Sequence, residues 1–359
     1  MQLIIETGFL EEFVKAENKD FWYADFFRFL TEKAIGFCMT INVADEAALR
    51  IARKENPLIR EILHHTAIVE YLPFLSLEIE QPSFYTSNSV FKLFCTTKTD
   101  IECKKLEQKY GYKYLNISNL KNEWALFQSD RDDASLPIDT TSNPNERFDD
   151  WAKIRLFKHP IRSMIIFDKY LLVNQVNQDI TQNLFKLFDN LLEDITLANP
   201  LEILLLVSKE IHSRTNIDKN NRILAGTISI NDRIEKIGQY IEAHFNSNYV
   251  NLRPKITIVH YDNAEDPTTD KEHDRGVYTN YFFFEIGAGI NLFDSSNNLT
   301  KRSTLNTHFL LKLPGKAVGF SGLRSFRDYI DNVVTSNSTT SLDYFYNYSG
   351  NLLLSDSAL

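Results

Sequence analysis

Apolar residues in this chain fall in short runs separated by amphipathic stretches, and this alternation continues along most of its length. Leu3-Ile4-Ile5 predicts a first strand, and the aromatic-rich Phe9–Ala34 predicts a helix after it. Gly36–Val43 reads as a second strand and Asp45–His64 as a second helix, broken or bent at Pro57, whose ring removes an amide donor. The clearest local unit is Val90–Ser118. It opens with a strand over Val90–Cys95 and continues through a capping box of Thr99 and Glu102, with Ile101 and Leu106 facing inward. Gly111 then provides a left-handed stop, and Tyr112–Ile117 returns as a strand. Strands alternating with helices in this way predict an α/β domain with parallel pairing.

Ser129–Asp150 breaks the pattern. It holds Pro137 and Pro144 among many Asp, Ser, Asn and Thr residues, too little apolar surface to fold by itself, and so predicts a linker where brief proteolysis cuts first. The expected organisation is an N-terminal domain over 1–128, the linker over 129–150, a second domain over 151–335 and a polar, loosely held tail over 336–359. In the second domain Ser163–Phe167 is a buried-type strand. Val176, Ile180, Leu184, Leu187, Leu191 and Ile195 form one helical stripe, which Pro200 ends. Glu202–Val207, Lys255–His260, Tyr278–Ile286 and Asn306–Leu313 predict further strands, with Ile230, Ile234, Ile237 and Ile241 on a helix among them. The fold class expected is α/β, with two domains that each carry a mixed or mostly parallel sheet and flanking helices.

Length agrees with two domains, since 359 residues exceed the roughly 250 that one core usually supports. A net charge of −9 repels nucleic acid and anionic membrane, so contact with either needs a local basic strip. No apolar run reaches the roughly 18 residues of a membrane span, and the glutamates of MQLIIETGFLEEF interrupt any signal peptide, so neither is expected. Three cysteines without C-x-x-C spacing point to a reducing cytoplasm rather than a disulfide framework or a zinc site.

Candidate chemistry concentrates in Asp270–Phe293. His273-Asp274-Arg275 runs into Tyr278–Ile286, read as one strand bounded by Gly287 and Gly289. On an extended segment His273 and Arg275 share a face and Asp274 points away, which leaves the guanidinium open to a phosphate, sulfate or carboxylate. On that reading Arg275→Ala weakens binding at least tenfold and moves the melting temperature little. The plainer reading makes the triplet a local ion pair fixing the mouth of a strand. Gly287-Ala288-Gly289 follows a strand and opens no helix, so it reads as a tight turn or bulge rather than a dinucleotide fingerprint. His64-His65 reads as an unligated surface pair, and no H-E-x-x-H, P-loop or G-x-S-x-G occurs.

The order of elements from about Ile161 to Leu313, with HDRGVYTN leading into a strand that ends GAGINLF, resembles the phospholipase-D-like C-terminal domain of MIT-domain proteins and its stand-alone bacterial relatives. The resemblance implies a phospholipase D fold that lacks the paired catalytic motifs and acts by binding membranes or partners. For the bacterial relatives it also implies a place in antiviral defence. Against the motif H-x-K-x-x-x-x-D, the positions here are His273, Arg275 and Asn280, so arginine replaces lysine and asparagine replaces aspartate. His212-Ser213-Arg214 has a His-x-Arg look, with Asp218 one residue out of register. Turnover would need a histidine nucleophile, a cation on the phosphoryl oxygens and a second histidine as acid. A non-catalytic module is therefore expected, with His273, Arg275 and Asn280 as ligand-binding residues, a protein or phosphate-bearing partner, and no cofactor. Nucleic acid and a second copy of the chain remain open as partners.

The N-terminal half is faintly similar to the opening of PIN-type metal-dependent nucleases, in a first strand that ends on an acidic residue. That likeness implies a nuclease or phosphodiesterase alternative, with Glu6, Asp45, Asp100 and Asp130 around Mg²⁺ or Mn²⁺. The sequence departs from it at Glu6, where the family has aspartate, and at Gly8, where it has asparagine. With 48 acidic residues, solvated carboxylates at strand ends are the simpler expectation.

Overall fold

The computed structural model describes residues 2–16, 21–31, 38–57, 59–61, 68–73, 75–82, 92–131, 134–157, 159–168, 171, 180–208, 230–261, 275–310, 323–328, 330–331, 345–346, 351 and 353–354. It is a mixed α/β fold with one parallel and one mixed sheet. The first sheet joins β1 (Gln2–Ile5), β2 (Cys38–Ile41), β3 (Ile68–Tyr71), β4 (Lys92–Cys95) and β5 (Lys113–Leu115), all parallel, in the order β3-β2-β1-β4-β5. The stretch expected as one long first helix forms α1 (Thr7–Lys15) and α2 (Phe21–Thr31). Further helices are α3 (Glu46–Glu55), α4 (Leu75–Glu80), α5 (Asp100–Tyr110) and α6 (Ile117–Arg131).

Strand periodicity divides this sheet into two faces. Leu3, Ile5, Met39, Ile41, Leu93, Cys95 and Leu115 bury against Phe9, Phe13, Phe26 and Trp124 of α1, α2 and α6. Ile4, Phe94 and Tyr114 bury against Leu75, Ile79, Cys103 and Tyr110 of α4 and α5. Each large apolar side chain so covered contributes about 1.5–3 kcal/mol. The capping box of Thr99 and Glu102 and the left-handed Gly111, φ 72°, bound α5 as its sequence predicts. Ile101 differs from expectation: it is 68% exposed, and Cys103 and Tyr110 supply the buried stripe instead.

The second sheet has the order β13-β9-β8-β7-β10-β11-β12-β6. Its centre is parallel: β7 (Ser163–Phe167), β8 (Leu201–Ser208) and β9 (Pro254–Tyr261), with α7 (Lys186–Leu191) and α8 (Ile230–Asn248) between them in sequence. A π-helical turn, Ile180–Phe185, leads into α7, and Leu192 caps it well before Pro200. Tyr278–Ile286 is a hairpin rather than one strand, with β10 (Gly276–Thr279) and β11 (Phe282–Ile286) paired antiparallel. The Thr279 hydroxyl forms the turn by accepting from the amides of Tyr281 and Phe282 at 3.3 and 3.0 Å. β12 (Ser303–Phe309) extends the sheet.

Described residues in two stretches expected to be loose pair with the second sheet. Within 129–150, β6 (Ala134–Ile138) pairs with β12 as an edge strand, and Pro137 is tolerated there because an edge strand can spare an amide. After β6, Asp139 accepts from the amides of Thr141 and Ser142. Arg147 donates to the carbonyls of Thr140 and Ser142 and pairs with Asp149 at 2.6 Å. Ile138 and Phe148 are fully buried in the core as well, so the segment is held by both polar and apolar contacts. Limited proteolysis is therefore expected to spare Ala134–Trp151, and early cuts mapped there by mass spectrometry would show the strap to be open. In the tail, β13 (Phe345–Tyr346) pairs with β9, and Asn351, buried, accepts from Ser163 Oγ and donates to the Met164 carbonyl.

The sheets are stitched together by the β10–β11 turn. Tyr281 is fully buried; its hydroxyl donates to the Lys92 carbonyl at 2.6 Å and accepts from the Lys113 amide at 2.7 Å. Gly111 packs so close that a Cβ would stand 2.5 Å from the Ile161 carbonyl oxygen, and its positive φ excludes other residues as well.

Candidate functional site

Sequence reasoning places recognition at the start of β10. The antiparallel register sets Gly276 opposite Phe167, which brings the preceding Arg275 over Asp168 at the carboxyl end of β7. Nε of Arg275 lies 3.9 Å from Oδ1 of Asp168, with the two side chains 13% and 1% exposed. Oδ2 of Asp168 accepts from the Ile290 amide at 2.7 Å. Gly289 makes room for the pair. Its φ is +80°, and a Cβ there would meet Asp168 Oδ2 at 2.4 Å and Arg275 Cδ at 3.0 Å. The Gly287–Gly289 segment is a turn, closed by the Gly289 amide on the Ile286 carbonyl. Arg275, expected to stand open to a ligand, thus faces a buried carboxylate from another strand. His273 and Asp274 lie outside the described residues, as do His212, Ser213, Arg214 and Asp218.

Asn280 is also placed differently from expectation. It is 0% exposed, its Nδ2 donates to the Gly111 carbonyl at 2.9 Å, and its Oδ1 accepts from the Arg162 amide at 3.0 Å. The amide thus ties the β10–β11 turn to the entry of β5 in the first sheet and, within its own sheet, to the entry of β7. It has no exposed surface with which to meet a ligand.

In the parallel sheet, the strand order reverses between β1 and β4, and a ligand crevice in such sheets lies at the carboxyl ends there. Glu6 stands at that point, and its Oε2 accepts from Thr96 Oγ1 at 2.8 Å, the Thr97 amide at 2.6 Å and Thr97 Oγ1 at 3.0 Å. The carboxylate therefore bridges the two strand ends. Asp45 is the N-cap of α3, accepting from the Ala48 amide at 2.8 Å, and Asp100 Oδ2 pairs with Lys104 at 3.3 Å. The side chain of Asp130 lies outside those described. Glu6, Asp45 and Asp100 have separate local tasks and do not form a divalent-ion donor set. Among the described residues no group of three His, Cys, Asp or Glu is placed to hold a metal.

One feature escapes sequence reading because it assembles from three elements. A cleft of about 370 Å³ opens between the sheets, lined by Lys104, Glu107, Lys113, His159, Glu193 and Asp194 among others. Lys113, 5% exposed, lies 3.0 Å from Glu107 Oε1 and 2.5 Å from Glu123 Oε2. Burial works against the lysine charge, but the two carboxylates outweigh it and its pKa is raised. Burial pushes Glu107 up, opposed by Lys113 and the Tyr114 amide. His159 closes the floor, stacked on Phe282 with centroids 4.7 Å apart. One lysine charge is shared by two carboxylates, an arrangement that ties α5, β5 and α6 together.

Among the described residues no helix is long and apolar enough to cross a membrane. Comparison with protein-family models, curated proteins and solved structures finds no match to this chain.

Proposed function

We propose that this chain is a non-catalytic binding protein whose phospholipase-D-like half recognises an anionic ligand or a protein partner. The observation that supports the reading is the use made of the motif positions. Phosphoryl transfer needs the cation and the polar residue of the motif at the substrate. Here Arg275 faces Asp168 and Asn280 joins Gly111 to Arg162, so both serve the framework. A place in bacterial antiviral defence belongs to the same proposal and rests on the resemblance alone.

Recognition then falls to His273 rather than Arg275. Calorimetry with inorganic phosphate and with a short 5′-phosphorylated oligonucleotide is expected to show binding that weakens about tenfold in His273→Ala, the value of one charge-assisted hydrogen bond. The melting temperature should not change. Binding unaffected by this substitution would remove His273 from the site. The metal-dependent nuclease alternative has Glu6 at a suitable strand end, but Thr96 and Thr97 hold its Oε2 in a bridge between strand ends, and no second carboxylate of the expected set joins it among the described residues.

A further inference from the structure

The outer surface of the parallel sheet's helical layer carries a groove of about 470 Å³ between α1 and α3. One wall is the α1 stripe Thr7, Glu11, Val14 and Lys15; the other is the α3 stripe Ala48, Ile51, Ala52 and Glu55. Both follow the helical repeat, so each wall is a continuous ridge. Val14 and Ile51 are 38% and 58% exposed on these walls, while Val43 and Ile59 form an apolar floor. Other exposed large apolar residues, such as Ile101, Leu156 and Val250, stand on separate elements, and scattered single residues are ordinary. Two such residues facing one groove with small alanines between them form a surface ready for packing.

The charges around the groove indicate what packs there. Glu11, Lys15 and Glu55 line it, and none of them has an ion-pair partner among the described residues. Glu11 and Lys15 stand four apart in the favourable order for a bond along the helix, yet both are left for another partner. We propose that the occupant is a second copy of this chain, related by a twofold axis crossing α1 at the level of Phe13. An antiparallel approach of the two α1 stripes then sets Glu11 opposite Lys15 of the second copy, and Lys15 opposite its Glu11. A single patch satisfies itself twice, which is the property of an isologous interface. Val14 and Ile51 of each copy enter the groove of the other, over Ala48 and Ala52. This interface is independent of the binding role assigned to the second sheet.

The test is sedimentation velocity across micromolar concentrations on four samples of the full chain: wild type, Glu11→Lys, Lys15→Glu, and an equimolar mixture of the two variants. The wild type is expected to dimerise. Each variant alone sets like charges against each other and should associate at least tenfold more weakly. In the mixture every lysine again meets a glutamate, so association should return. Ile51→Asp should abolish it. Circular-dichroism spectra should match those of wild type, because these side chains are exposed. A wild type that remains monomeric overturns the proposal, and so do variants that dimerise as well as wild type or a mixture that stays apart.

Discussion

Replacing Arg275 with alanine is expected to destabilise the fold by about 3–5 kcal/mol, the usual consequence of stranding one member of a buried ion pair. The carboxylate left behind is Asp168, 2% exposed, which also accepts from the Ile290 amide. The decisive experiment is a double-mutant cycle by urea unfolding. Asp168→Asn keeps an acceptor for the Ile290 amide and removes the charge, so Asp168→Asn with Arg275→Ala should be clearly more stable than Arg275→Ala alone. Arg275→Lys should fall between wild type and alanine, because the charge stays while the planar fork is lost. If Arg275→Ala folds with wild-type stability, the guanidinium is a recognition group after all and the pairing with Asp168 is incidental.

The second large effect concerns Lys113. Lys113→Met keeps the aliphatic stem but leaves Glu107 and Glu123 facing each other without their cation, and about 3–5 kcal/mol should be lost at neutral pH. The pH dependence identifies the cause. Glu107 already titrates above its ordinary 4.5 because of burial, and the variant removes the main opposing influence. A carboxyl group whose pKa is raised on folding binds more protons folded than unfolded, so the stability it provides is present at low pH and is lost as pH rises through the raised value. The variant should therefore recover stability as pH falls from neutral towards 5. Adding Glu107→Gln and Glu123→Gln should restore most of the loss and flatten the profile. Thermal denaturation across that range would show it; a pH-independent loss would mean packing, not charge.

Much of the fold was legible from the chain. The apolar runs of β7, β8 and β9 and the capping box and glycine stop of α5 carry strong local signals, because buried parallel strands read as continuous hydrophobic runs and helix ends have fixed chemistry. The hairpin was missed because Thr279-Asn280 sits inside an aromatic run and turns the chain through a threonine hydroxyl rather than a glycine. β6 and β13 escape a sequence reading because they are short strands set inside polar stretches, and their pairing with β12 and β9 has no trace in their own composition. The site was less legible than the fold. Asp274 adjoins Arg275 in sequence, but the partner that the sheet register delivers is Asp168, across the β7–β10 pairing. Asn280 reads as a motif residue, and its task as a bridge depends on Gly111, brought near by the docking of the two sheets, and on Arg162, brought near by the β7–β10 register. The triad around Lys113 likewise exists only once α5, β5 and α6 are packed.

The measurement that bears most directly on the proposed role of binding without turnover is a time course with labelled single- and double-stranded DNA and RNA, each with and without Mg²⁺ or Mn²⁺. The wild-type chain is expected to leave every substrate intact, because Arg275 and Asn280 are held by the framework and Glu6 by Thr96 and Thr97. Hydrolysis that disappears with His273→Ala, or metal-dependent hydrolysis that disappears with Glu6→Gln, would contradict that reading and show an enzyme.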